Sequence, residues 1–183
     1  MKIETNRLLI QTFEKHHLND VYEIYNDDLT CRYLLHDKWT RENKEREFDK
    51  KLNNNQLSKE NALSLAVLVN SKVIGDLSVW YTDMKDTVEI GYTFSKSVSG
   101  KGYATEAVIA LIYYLFEDVN VHRIQANLDA RNKASEKLSE RVGMRKEAHF
   151  IQDFWNKDEW TDSIVFGMLK SDFNKLNSER GSF

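Results

Sequence analysis

The stretch Ser97-Val98-Ser99-Gly100-Lys101-Gly102-Tyr103-Ala104-Thr105-Glu106-Ala107 constrains the fold more than any other part of the chain. Seven glycines occur in 183 residues, and two of them, Gly100 and Gly102, stand directly before a helical pattern. From Ala104 onward Ala107, Val108, Leu111, Ile112, Leu115 and Phe116 recur at the spacing of one buried helix face. Glycine lets a backbone approach a ligand closely. The loop N–H groups and the positive end of the helix dipole would then converge on one spot that favours an anion such as a phosphate. A plain strand-to-helix connection uses glycines in the same way. Two other phosphate loops fit less well. A Walker A loop needs glycines five apart followed by Lys and Ser or Thr, which Gly100-Lys101-Gly102 does not supply. A dinucleotide loop needs a third glycine where Thr105 stands, although Asp129 lies near the place of its ribose-binding acid.

The patterns around this element follow in a readable order. Residues 5–11 read as an opening strand, and residues 15–25 carry an apolar stripe at Leu18, Val21, Tyr22 and Tyr25, closed by Asn26-Asp27-Asp28. Residues 41–52 are charged almost throughout with Phe48 and Leu52 four apart, a surface helix laid on by one narrow face. Residues 62–69 and 73–81 form a hairpin pattern through Asn70-Ser71-Lys72, and Gly75 marks a bulge or a close backbone approach. A third strand at residues 87–94 leads into the glycine loop, and a fourth at residues 121–128 follows the helix. Strand, helix and strand in that order predict a parallel pair with a right-handed crossover, with ligands at the carboxyl ends of the strands. Residues 132–142 form a second helix ended by Gly143, with Lys133, Lys137 and Arg141 on its exposed side. Strand patterns at residues 145–151 and 160–169 flank a turn at residues 155–159, and residues 173–183 read as a polar tail. The fold class is α+β: a mostly antiparallel mixed sheet with one parallel β-α-β unit, in a single domain spanning residues 1–183 without prolines or repeats.

Composition excludes several classes. No apolar run approaches the roughly 18 residues of a membrane span, and the N-terminus lacks the apolar core of a signal peptide, so a cytoplasmic location is expected. A net charge of −3 leaves no basic footprint for nucleic acid. It is compatible with a cationic amine, as it is in many proteins. The single cysteine, Cys31, reads as a small buried residue rather than a nucleophile, and no ligand spacing for a metal is present.

The loop resembles the acyl-coenzyme A loop of the GCN5-related N-acetyltransferases (GNAT), Gln/Arg-x-x-Gly-x-Gly/Ala. Ser99-Gly100-Lys101-Gly102-Tyr103-Ala104 matches it except at Ser99, where the family's Gln or Arg side chain is missing. The run from Gly102 to Ala107 is similar to the branch that includes the ribosomal-protein N-terminal acetyltransferases, and Thr5-Asn6-Arg7-Leu8-Leu9-Ile10 resembles that branch's opening strand. Asn132-Lys133-Ala134-Ser135 matches the family's Asn-x-x-Ser, and the order of elements agrees over about residues 4–172. The resemblance implies the GNAT acyl-CoA N-acyltransferase fold and acetyl-CoA as donor, with no metal. It also implies direct transfer in a ternary complex to a primary amine, either a protein N-terminal α-amine or a small-molecule amine. Partners beyond the acceptor are not implied, neither nucleic acid nor membrane, apart from pairing of two copies through a sheet edge or the closing hairpin.

Site roles follow from the same resemblance. Backbone groups of Tyr92, Thr93 and Phe94 would meet the pantetheine arm. The loop from Ser99 through Gly100, Lys101, Gly102, Tyr103 and Ala104 to Thr105 would take the pyrophosphate, with Lys101 adding charge. Asn132 would bind the pantetheine arm, and it is also a preferred helix N-cap. Glu89 is the candidate base, unless strand alternation turns it to solvent. Ser135 is the candidate acid for the leaving thiolate, or a hydrogen-bonding group for the cofactor. Tyr33, His36 and Trp39 would stand near the acceptor or pack the core, and the same two readings apply to Asp153, Asp162, Trp155 and Trp160. Readings from other classes are a non-catalytic acyl-CoA-binding or sensing module and a nucleotide-cofactor oxidoreductase built on Gly100, Gly102 and Asp129.

Overall fold

The computed structural model describes residues 1–180. Eight strands form one sheet in the order β1-β2-β3-β4-β5-β6-β8-β7. Strands β1 (Lys2–Glu4) and β2 (Leu9–Thr12) replace the single opening strand expected at residues 5–11. The chain turns there because Thr5 and Leu8 bind each other: the Thr5 N–H donates to the Leu8 carbonyl and the Leu8 N–H donates to Thr5 Oγ1, both at 3.0 Å. Strands β3 (Leu63–Val69) and β4 (Lys72–Tyr81) join through Asn70 and Ser71 at φ 48° and 64°, the left-handed pair of a two-residue hairpin turn. At Gly75 the pairing with β3 shifts register, and an added Cβ would lie 2.5 Å from the Thr93 carbonyl oxygen. The expected close approach is therefore present.

Strand β5 (Thr87–Phe94) pairs with β4 along its whole length, and β6 (Arg123–Asp129) pairs likewise with β8 (Glu159–Leu169). Between β5 and β6 lies the one parallel pairing, and it is short. It runs from Thr87↔Arg123 to Glu89↔Gln125 and stops, although both strands continue. The sheet therefore splits open beyond Glu89. Strand β7 (Arg145–Asn156) closes the other edge against β8.

Helix α4 (Tyr103–Tyr113) covers one sheet face, burying Ala107, Val108, Leu111 and Ile112 against Leu65, Leu77, Val88, Ile90 and Ile124. Full burial of side chains the size of Leu and Ile contributes about 1.5–3 kcal/mol apiece. Helix α5 (Lys133–Arg141) packs on the same side through Leu138. The opposite face is covered over β2 to β4 by α1 (Leu18–Tyr25), α2 (Asp28–Cys31) and α3 (Lys44–Asn53), whose Val21, Ile24 and Phe48 meet Ala66, Leu68 and Val73. The expected polar tail is corrected over residues 173–180. Helix α6 (Lys170–Arg180) occupies them because Phe173 packs against Tyr113 and Phe116, with ring centroids 4.8 and 5.1 Å away. Residues 181–183 of that expectation lie outside the described residues. No helix among the described residues is long and apolar enough to cross a membrane.

One buried histidine ties this packing to pH. His17 is 1% exposed, and its Nδ1 accepts the Glu14 N–H at 3.1 Å. That bond holds the neutral ring with its proton on Nε2, which has no partner among the described residues. Burial, reinforced by His16, lowers the His17 pKa below its ordinary 6.5. Below pH 6.5 the unfolded chain therefore binds a proton that the folded chain refuses, and stability falls until the folded-state pKa is reached. Between pH 7 and 5.5, His17→Leu is expected to remove a loss of at most about 1.4 kcal/mol per pH unit. Urea unfolding at several pH values measures this. Equal slopes for both proteins would contradict it.

Candidate active site

The glycine loop takes the conformation its residues suggest. Gly100 and Gly102 stand at φ 76° and 78°, left-handed values that strain other residues. Gly102 is the N-cap of α4, and the first helical bond runs from the Glu106 N–H to the Gly102 carbonyl at 3.1 Å. No N–H from Gly100 to Thr105 has an acceptor among the described residues. Six consecutive donors are thus left unbonded at the positive end of an 11-residue helix. Arg7 reaches this loop from the β1–β2 turn, donating to the Lys101 carbonyl at 2.9 Å and lying over the Tyr103 ring at 4.6 Å. Its charge is matched by Glu106, whose carboxylate accepts the Arg7 Nε at 2.7 Å and the Thr5 hydroxyl at 2.6 Å. Burial opposes the charge on Glu106, yet Thr5 and Arg7 hold its pKa below the usual carboxylate value.

The loop borders a cleft of about 1340 Å³, lined by Ser99, Gly100, Gly102, Tyr103, Ala104 and Thr105 on one side and by Asn132, Ser135, Lys137 and Arg141 on the other. Ordinary small-ligand pockets enclose roughly 300–1,000 Å³, so the cleft suits a long ligand. Lys101 presents only its carbonyl, to Arg7, and its side chain is not part of the lining.

The split edge of β5 supplies the inner wall. The Ser95 N–H donates to the Ile74 carbonyl and the Thr82 N–H to the Thr87 carbonyl, both toward β4. By the two-residue repeat, backbone groups of Tyr92 and Phe94 point the other way, into the gap where β6 has departed. Tyr92 and Phe94 therefore present backbone groups to the gap. Thr93 is corrected: its backbone groups point to Asp76 of β4, its register partner, and only its remaining atoms meet the cleft. The Tyr92 hydroxyl crosses to α5, donating to the Ser135 carbonyl at 3.2 Å and lying 3.0 Å from Ser139 Oγ, and burial raises its pKa. Asn132 is the N-cap of α5, its Oδ1 accepting the Ser135 N–H at 3.2 Å, and it also lines the cleft. Both readings of Asn132 fit this placement. The Ser135 hydroxyl, in the same lining, has no partner among the described residues.

Glu89 lies elsewhere. Three residues from Tyr92, it projects from the opposite sheet face and is not part of the cleft lining. It is half-buried at the last paired position before the split, where Gln125 Nε2 donates to its Oε2 at 2.8 Å. Its cross-strand partner Trp80 is 37% exposed and covers Gly91 with its ring. The cleft and this carboxylate thus approach the apex of one split from two sides.

Other candidates separate cleanly. Tyr33 lines the cleft beside Arg131, His36 is exposed, and Trp39 is core, stacked on Tyr25 at 4.7 Å. Asp162 ties down a bulge in β7 by accepting the Gln152 N–H at 2.8 Å and by contact with His149, while Asp153 is exposed on that bulge. Trp155 and Trp160 stack edge to face at 5.4 Å on the closing hairpin, each more than half exposed. Cys31 is buried, its thiol pushed up to about 11 chiefly by that burial, so it is no nucleophile. Gln125 and Trp80 belong to no motif, and Arg7 falls in the opening run Thr5-Asn6-Arg7-Leu8, to which the sequence assigns no site role.

A split mixed sheet with an amide-lined loop at its mouth is the arrangement expected of an acyl-CoA-dependent transferase. Residues 7–145 match the family model of the acetyltransferase (GNAT) domain. The chain belongs to the GNAT family and is an N-acetyltransferase. It is 31% identical over 176 residues to the uncharacterized N-acetyltransferase YnaD of Bacillus subtilis (strain 168), covering 95% of this chain and all of that protein. A second relative, the [ribosomal protein uS5]-alanine N-acetyltransferase of Escherichia coli (strain K12), is 31% identical over 84 residues, 46% of this chain and 43% of its own. Among solved structures, the GNAT-family acetyltransferase of Bacillus anthracis superposes with a TM-score of 0.84 at 28% identity, covering 93% of this chain and 99% of its own.

Proposed function

We propose that this chain acetylates a primary amine with acetyl-CoA, by direct attack in a ternary complex. The split itself carries this reading, because it joins a long cleft with six unbonded amides to a carboxylate on the far side. The loop from Gly100 to Thr105 would hold the diphosphate, the free edge of Tyr92 and Phe94 the pantetheine arm, and Asn132 its amides. Acetyl-CoA, when bound, supplies a thioester that a neutral amine can attack.

The residues of the chain do the rest. An acceptor entering from the open sheet face passes Trp80 and meets Glu89, whose Oε1 is left free by the Gln125 bond to Oε2. Glu89 takes the amine proton, directly or through a water. Backbone N–H groups on the free edge of β5 are available to charge developing on a carbonyl oxygen. The Ser135 hydroxyl gives the proton that a departing thiolate needs.

An α-amine, as in the ribosomal-protein relative's named substrate, has a reference pKa near 8 and demands less of the base than a lysine-like amine near 10.4. Thiol release with acetyl-CoA and a panel of N-terminal peptides and alkylamines tests the proposal. An amide product with matching thiol release is expected. Bound acetyl-CoA without any acetylated amine would favour the sensing module instead.

A further inference from the structure

Two arginines line the cleft, and they differ in what surrounds them. Arg7 is ion-paired with Glu106 at 2.7 Å, so the pair brings no net charge to the loop. Arg141, the last residue of α5, has no carboxylate within 4.0 Å among the described residues. Its Nη1 instead donates across to α4, to Thr105 Oγ1 at 3.2 Å. A neutral hydroxyl engages one of five N–H donors and compensates none of the charge.

Position also matters. Thr105 ends the run of six unbonded amides, so a group held by those amides sits within reach of the other Arg141 donors. Lys137, one turn earlier on α5, lines the same wall and also has no carboxylate within 4.0 Å among the described residues. Ser99 at the head of the loop is uncharged. In a chain of net charge −3, this wall is a local excess of positive charge facing backbone donors. A dianionic diphosphate satisfies both, and a guanidinium binds phosphate oxygens in forked pairs that a lysine cannot copy.

The geometry points to Arg141 as the side chain that clamps the acetyl-CoA diphosphate from α5, opposite the amides of the glycine loop. The assignment rests on the cofactor reading above and adds to it the source of the full positive charge. Arg141 is exposed at a helix end, so its replacement leaves the core intact.

Calorimetry of the wild type, Arg141→Ala and Arg141→Lys tests this with three donors: acetyl-CoA, its analogue lacking the 3′-phosphate, and acetyl-pantetheine, which has no phosphate. Weak acetyl-pantetheine binding is followed by ligand-observed NMR. Arg141→Ala is expected to weaken acetyl-CoA about tenfold or more. The same factor is expected for the analogue without the 3′-phosphate and no change for acetyl-pantetheine, with Arg141→Lys recovering part of the loss. The assignment is overturned if Arg141→Ala binds acetyl-CoA as the wild type does. It is equally overturned if the deficit vanishes without the 3′-phosphate, or persists with acetyl-pantetheine. Failure of the wild type to bind acetyl-CoA would instead overturn the cofactor reading on which the assignment rests.

Discussion

With Glu89 replaced by Gln, kcat is expected to fall by about 10²–10⁴, the usual contribution of a positioned general base. Acetyl-CoA affinity should not change, because Glu89 lies outside the cleft on the other side of the sheet split. Glutamine keeps the shape and a hydrogen bond to Gln125 but cannot accept the amine proton. The deficit should be larger for an alkylamine than for an α-amine, and should shrink as pH rises toward the acceptor's own pKa, since more amine is then neutral without help. Steady-state thiol release with both acceptor types measures all three effects. An unchanged kcat with either acceptor would remove Glu89 from the chemistry.

The second large effect is on stability. Asp76 lies 2% exposed on β4, where one oxygen, Oδ2, accepts the Tyr25 hydroxyl at 2.7 Å and Lys51 Nζ at 3.0 Å. Lys51 Nζ also donates to the Tyr25 hydroxyl at 3.1 Å and lies 4.6 Å from that ring's centre. Burial alone would push the Lys51 pKa down, yet Asp76 and Tyr25 hold it above its ordinary value. Burial, then Asp76, raises that of Tyr25. Asp76→Ala leaves an ammonium group, its side chain 14% exposed, without its counter-ion, and should cost about 3–5 kcal/mol. The double variant Lys51→Met, Asp76→Val removes both charges and should recover most of that loss. Urea unfolding of the three proteins is the test. A loss below about 1 kcal/mol in Asp76→Ala would show that Lys51 finds water on its own.

Local patterns were the legible ones. The glycine pair, the apolar stripe of α4 and the Asn132 cap each act within a few residues, so composition and spacing expose them. The split was not legible from periodicity, because it depends on where pairing between residues 36 apart ends, at Glu89 and Gln125. The resemblance implied free backbone groups on β5, but the phase of that strand decides which: Tyr92 and Phe94 face the gap and Thr93 does not. Gln125 and Trp80 look like ordinary strand residues until the sheet places them beside Glu89. Arg7 and Arg141 reach the loop only through tertiary structure, from 94 and 36 residues away. In α6 the apolar signal is thin, and Phe173 is anchored by Tyr113 and Phe116 from another helix rather than by any local repeat.

The most direct measurement is a calorimetric titration of the folded chain with acetyl-CoA, run beside NADH and beside a Gly102→Trp variant. At φ 78°, tryptophan strains the loop, and its Cβ would stand 3.4 Å from the Arg7 guanidinium that braces it, while thermal unfolding reports whether the variant folds. The expected result is one acetyl-CoA bound per chain and no NADH, with affinity lowered more than tenfold in a folded Gly102→Trp protein. A folded wild-type chain that shows no binding of acetyl-CoA would contradict the account and leave the glycine loop a structural turn.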